Sequence, residues 1–152
     1  MLRGRVAAAA PFAALGMAAV VAGGATAAAV AYHPTEHLVW MVAYLVLVVG
    51  VMQVVFGAGQ AWLAERPPSR AVAWGQWGLF NLGNAGVIGG TFCNRSGIVA
   101  AGTLLFVLAI AWFLFGVRRC RLRAWGTAYR ILLVLIFLSA CVGLGISFVS
   151  HP

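Results

Sequence analysis

Hydrophobic positions in this chain do not alternate with polar ones at short range; they run in long blocks separated by short polar breaks. Five blocks, at about 6–31, 37–64, 71–92, 97–117 and 127–150, reach the length of about 20 residues that an α-helix needs to cross hydrocarbon. The breaks between them are short, so consecutive helices are expected to be antiparallel neighbours. This pattern predicts an all-α, integral membrane bundle of about five transmembrane helices, forming a single domain over residues 1–152. The first block has a second reading. Met1 to Arg5 is a basic start, and Ala-Thr-Ala or Ala-Val-Ala near the end of the block would suit signal peptidase, leaving four helices. The block is long for a signal peptide, which favours a retained helix.

Composition supports lipid as the solvent. The chain is 64% hydrophobic and 8% charged, against about 25% charged residues in a soluble globular domain. The net charge of +8 comes from ten arginines with no lysine. Nine arginines stand in or beside the breaks, at Arg3, Arg5, Arg66, Arg70, Arg95, Arg118, Arg119, Arg121 and Arg123, and Arg130 follows closely. That is the placement of topology determinants. The basic face interleaved with aromatics that nucleic-acid binding requires is missing. Cytoplasmic loops hold an excess of arginine and lysine. Five crossings with a cytoplasmic N-terminus put eight arginines on the inner side and Arg95 alone on the outer side, with the C-terminus outside. Re-entry of the third, more polar block would move the Arg118–Arg123 cluster outside and is disfavoured. Trp62, Trp74, Trp77 and Trp125 then fall near the inner interface and Trp40 near the outer one, where indole rings favour headgroup depth. Arginine without lysine, in an Ala- and Gly-rich chain, points to a bacterial inner-membrane protein.

Within lipid, helices associate through close backbone approach and interhelical hydrogen bonds. Gly16, Gly23 and Gly24 in the first helix, Gly50 and Gly57 in the second, and Gly83, Gly86 and Gly90 in the third therefore mark expected contacts. Ser139, Gly143, Ser147 and Ser150 do the same in the fifth. The fourth helix has few small residues and is expected to be the most lipid-exposed. Gln76, Asn81 and Asn84 fall within roughly 140° of arc on the third helix. An amide facing lipid is costly, so this face is expected to turn inward, toward Gln53 or Gln60. It reads either as a polar path or as interhelical glue, and the missing ionisable partner favours glue.

Candidate chemistry lies on the predicted outer face. His33, His37 and Met41 are spaced four and four apart, so they can share a helix face. His151, at the far end of the fifth helix, lies on the same side, with Glu36 and Cys93 nearby. Imidazole with thioether suits copper, and one imidazole can ligate haem iron. The plainer reading makes His33-Pro34-Thr35-Glu36 a helix start, with Pro34 in the first turn and Glu36 at the positive end of the dipole. Arg118, Arg119, Arg121 and Arg123 either contact anionic lipid headgroups or serve only to anchor topology. Phosphate-binding glycine loops, nucleophile elbows and paired carboxylates are missing; Glu36 and Glu65 are the only acids, at opposite ends.

His37-Leu38 opens one long apolar helix, and Trp77-Gly78-Leu79-Phe80-Asn81-Leu82-Gly83 lies in the next. This pairing resembles small membrane proteins related to the haem-copper oxidase catalytic subunit. The resemblance implies a haem ligated by His37, with a second ligand from a partner or a second copy; the family uses more histidines and helices than this chain has. A comparable likeness to uncharacterised bacterial multi-spanning membrane proteins implies no activity. The leading expectation is a non-enzymatic accessory or assembly subunit of a membrane complex, in a homo- or hetero-oligomer. The alternatives are a haem- or copper-binding redox protein and a small-solute channel or carrier lined by Gln53, Asn81 and Asn84.

Overall fold

A computed structural model describes the backbone of residues 2–150 and the side chains of residues 2–142. His151 lies outside the described residues, as do the side chains of Gly143, Ser147 and Ser150. The chain folds into five helices: α1 (Leu2–Ala29), α2 (Glu36–Leu63), α3 (Arg70–Phe92), α4 (Ser96–Gly116) and α5 (Arg123–Ser150). Four are long and apolar enough to cross a membrane: α1, α2, α4 and the Arg123–Val142 part of α5. The remaining helix, α3, has 23 residues, but its glycines and amides dilute its apolar content.

Helix boundaries follow backbone chemistry more closely than hydropathy. Thr35 caps α2, its hydroxyl accepting a hydrogen bond from the Leu38 amide at 3.3 Å. Pro34 therefore precedes the cap instead of sitting in the first turn, and Glu36 begins the helix. Ser69 caps α3 in the same way through the Val72 amide, at 3.3 Å. The basic ends at Arg3 and Arg5, and at Arg123, are helical although the apolar blocks begin later. The middle of α2, Leu45–Met52, winds with the wider i→i+5 bonds of a π-helix.

Packing rests on two helix pairs. The most extensive contact joins α1 to the long α2, and the next joins α3 to α4. α5 packs on α4 and touches α2 narrowly, while α1 reaches the flank of α3. Glycines set both pairs. A Cβ on Gly102 would stand 2.6 Å from the Val87 nitrogen and 2.8 Å from the Gly83 oxygen; one on Gly90 would stand 2.6 Å from the Val99 nitrogen. In the α1–α2 pair, a Cβ on Gly16 would stand 2.8 Å from the Gly50 oxygen. Between the pairs, edge-on and tilted phenylalanines form one chain of contacts. Phe12 meets Phe113 at 5.5 Å, Phe113 meets Phe56 at 5.5 Å, Phe56 meets Phe80 at 5.8 Å and Phe80 meets Phe106 at 5.3 Å.

The expectation that α4 is the most lipid-exposed helix needs correcting. It buries Gly102, Phe106, Ala109, Ile110 and Phe113 in one stripe and leaves Leu104, Leu108 and Phe115 outward. Gly102, facing Gly83 and Gly86 of α3, lets it sit centrally. Among the described side chains, α5 buries only Gly126, Tyr129 and Leu133.

The glycine contact predicts a specific loss. Gly102→Ala pushes a methyl group into the α3 backbone and should destabilise the bundle by about 1–3 kcal/mol. Gly78→Ala, with no atom within 4 Å of the new carbon, should change stability by less than about 0.5 kcal/mol. Thermal unfolding of both variants in mild detergent checks the pair.

Candidate functional site

The amides of the predicted polar face are in the interior. Gln53 and Gln76 are fully buried, Gln60 and Asn84 nearly so, and Asn81 is half-buried. Asn84 is the best connected. Its Oδ1 accepts from the Tyr44 hydroxyl at 2.8 Å and its Nδ2 donates to the Phe80 carbonyl at 3.0 Å. Asn81 turns back on its own helix, donating to the Trp77 carbonyl at 2.7 Å. Gln53 donates across to the Phe12 carbonyl of α1 at 3.4 Å, leaving its Oε1 unpaired. Among the described residues, neither amide atom of Gln76 has a protein partner, nor does the Trp77 indole nitrogen. Among the described residues no hydrogen bond joins the α3 amides to Gln53 or Gln60. Tyr44 takes that role for Asn84, and the sequence reading missed it. A phenolic tip within an apolar run was the available signal, because a buried tyrosine hydroxyl usually finds a partner.

The basic end is built by three segments that meet. Arg5, only 5% exposed, donates to four carbonyls at the end of α2: Ala61 at 2.6 Å, Trp62 at 3.1 Å, Ala64 at 3.3 Å and Glu65 at 3.3 Å. The last carbonyls of a helix have no partner within it and form the negative end of its dipole, so a guanidinium suits them doubly. Next to this cap the loops 64–69 and 117–122 pair through their backbones. The Glu65 amide donates to the Arg119 carbonyl at 3.0 Å, and the Arg121 amide donates to the Leu63 carbonyl at 3.0 Å. One turn further in, the Tyr129 hydroxyl of α5 donates to the Phe56 carbonyl of α2 at 2.8 Å. A pocket of about 310 Å³ opens here, lined by Glu65, Arg66, Gly116, Arg118 and Arg119. Arg118 is held over the Phe115 ring, 4.1 Å from its centroid. Arg121 and Arg123 are exposed and do not line the pocket, so the four arginines expected to contact lipid are divided in two. Arg130 donates to the Gly126 carbonyl at 3.2 Å within its own helix.

At the opposite end, His37 lines two adjoining pockets. One, of about 440 Å³, is shared with Gly90, Thr91, Asn94, Arg95, Ser96 and Val99; the other, of about 380 Å³, with Glu36, Trp40, Val87, Thr91 and Val99. Asn94 turns the chain between α3 and α4 with φ of 51°, a conformation that asparagine tolerates better than most residues. The imidazole, the Arg95 guanidinium and the Thr, Asn and Ser side chains offer hydrogen bonds to a polar or anionic group. His33 is exposed in the preceding turn and Met41 is half-buried; neither lines these pockets. Among the described residues no group of three or more His, Cys, Asp or Glu could hold a metal ion.

A third feature opens on the side of the bundle. α2 and α5 touch at Phe56, Gly59 and Tyr129. Toward the His37 end they part around a cleft of about 300 Å³, walled by Tyr44, Val48 and Met52 on one side and Ile136, Ser139 and Ala140 on the other. Val87, Thr103 and Phe106 line the rest of it. Val48 and Met52 belong to the π-helical stretch, whose wider turn helps shape that wall. No known protein family, curated protein or solved structure matches this chain.

The capping of α2 by Arg5 can be separated from its charge by substitution. Arg5→Ala leaves the end of α2 uncapped and should cost about 1.5–3 kcal/mol, the range for hydrogen bonds to a charged group. Arg5→Lys keeps the charge for topology, but its ammonium is too compact to serve all four carbonyls, so it should lose part of that stability while inserting normally. Thermal midpoints, together with accessibility of Cys93 and Cys120 to an impermeant thiol reagent in whole cells, separate the two roles.

Proposed function

We propose that this chain spans the bacterial inner membrane with its basic end in the cytoplasm, crosses five times, and acts as a non-enzymatic accessory or assembly subunit of a membrane complex. The topology is supported by the meeting of Arg5, Arg66, Arg118 and Arg119 at one end of the bundle, since positive segments are retained inside. α3, the least apolar helix, crosses because its amides and glycines face its neighbours.

The observation that carries the subunit reading is the lateral cleft between α2 and α5. It combines an apolar wall with the small or hydroxylated residues Thr103, Ser139 and Ala140. In lipid such surfaces gain from the close approach of another helix, whereas plain leucine surfaces gain little. The cleft is too narrow for a whole helix about 10 Å across, but it can take the side-chain ridge of one. The partner is another membrane protein or a second copy.

A second reading, haem or copper binding through His37, is favoured by the placement of that imidazole in both pockets at its end. Of the candidate ligands among the described residues, His33, His37 and Met41, His37 is the one that lines them.

A photo-crosslinking residue placed at Ser139 should yield a discrete protein adduct in native membranes, and one at the outward Leu108 should not. Monodisperse monomers in mild detergent, with only lipid adducts at Ser139, would count against the subunit reading. For the second reading, the purified protein should show a Soret band or stoichiometric copper that His37→Ala abolishes; a colourless, metal-free preparation removes it.

A further inference from the structure

The pocket at the basic end brings together arginines that are far apart in sequence. Arg66 belongs to the loop after α2, and Arg118 and Arg119 belong to the loop after α4. We propose that this pocket binds a phosphate group, with Arg66, Arg118 and Arg119 as its ligands. The proposal does not depend on the subunit reading.

Three observations support it. First, the loops are set before any ligand arrives. The Glu65–Arg119 and Arg121–Leu63 backbone bonds tie them together, and Arg5 holds the carbonyls at 61, 62, 64 and 65 from beneath. Pro67 and Pro68 stiffen the chain directly after Arg66. Binding therefore orders side chains and little backbone, which lowers its entropic cost. Second, the lining is chemically matched. Three guanidiniums face one carboxylate, Glu65, so the pocket is net positive, and the planar fork of arginine fits phosphate oxygens two at a time. The Phe115 ring supports the Arg118 guanidinium. Third, the size is appropriate. About 310 Å³ is on the order of ten water volumes, room for one phosphate group with its nearest waters. Gly116 is needed on the wall, because the space a side chain would take there is filled by the buried Gln60 amide.

The phosphate has two possible sources, the headgroup of an anionic bilayer lipid or a free phosphorylated solute, and one experiment separates them. Delipidated protein in mild detergent is titrated with short-chain phosphatidylglycerol, short-chain diacylglycerol, which has no phosphate, and inorganic phosphate, and bound ligand is read by native mass spectrometry. Saturable phosphatidylglycerol binding is expected, weakened about tenfold by Arg66→Gln or Arg119→Gln, each of which removes a charge-assisted contact. Arg123→Gln, outside the pocket, should change it less than about twofold. Thermal midpoints close to wild type show that the variants are folded. Phosphatidylglycerol binding far tighter than inorganic phosphate supports the pocket with a lipid source. Inorganic phosphate that binds as tightly and displaces the lipid supports it with a soluble source. The proposal is overturned if the phosphate-free diacylglycerol binds equally well, if neither anionic probe saturates, or if Arg123→Gln weakens binding as much as Arg66→Gln.

Discussion

Gly102 lies against Gly83, Gly86 and Val87 with no room for even one added carbon, and the arrangement of the other helices follows from that closeness. A helix in lipid gains little by hiding one leucine from another, so contact energy comes from dispersion at short range and from backbone proximity. Because α3 and α4 meet so closely, Phe80 and Phe106 are brought together on the inner side of the pair. The same side receives Phe56 from α2 and, through Phe113, Phe12 from α1. Gly57 serves the opposite pair in turn: the space beside it is filled by the Phe12 ring. At Gly57 a glycine gap and a phenylalanine ring are thus two halves of one packing device, the Phe12 ring entering where a missing Cβ leaves space.

Polar groups hold the two pairs in register at the basic end and within the bundle. At the basic end Arg5 connects α1 to the terminus of α2, and the loop-to-loop backbone bonds connect α2 to α4 and α5. Nearer the middle, Tyr44 and Asn84 connect α2 to α3, and Tyr129 connects α5 to α2. The Arg5 and Tyr129 bonds are buried, so leaving a partner unmet there would be costly. Gln53 Oε1, the Trp77 indole nitrogen and both amide atoms of Gln76 are buried without a partner among the described residues, and Gln76 is the side chain with neither end paired.

These ties are stronger at one end than at the other, and that asymmetry bears on function. The basic end is closed by hydrogen bonds between sequence-distant segments. Toward the His37 end, α2 and α5 separate and leave the lateral cleft beside the π-helical stretch. A bundle braced at one end and parted at the other has a natural place for a neighbouring helix, while its braced end presents arginines in a fixed arrangement. The two proposals therefore use different parts of the fold.

The sequence by itself determined the number of helices, because block length and polar breaks directly reflect solvent preference; the starts of α1 and α5 lie a turn before their apolar blocks, because basic residues there are helical too. It also marked Gly83, Gly86 and Gly90 as contact residues, because a small side chain in lipid has few other uses. Only the tertiary structure decided the pairing. Nothing local to Gly102 or Gly16 names its partner, and α4, with a single interior glycine amid Leu, Ile and Phe, read as peripheral although it packs centrally. Arg5 read as a charge that orients the chain. Its second role as a cap depends on carbonyls 56 to 60 positions away, which no local pattern encodes. The same holds for the pocket of Arg66, Arg118 and Arg119: the arginines were visible as two separate basic breaks, and their convergence required two loops to pair through backbone groups common to every residue.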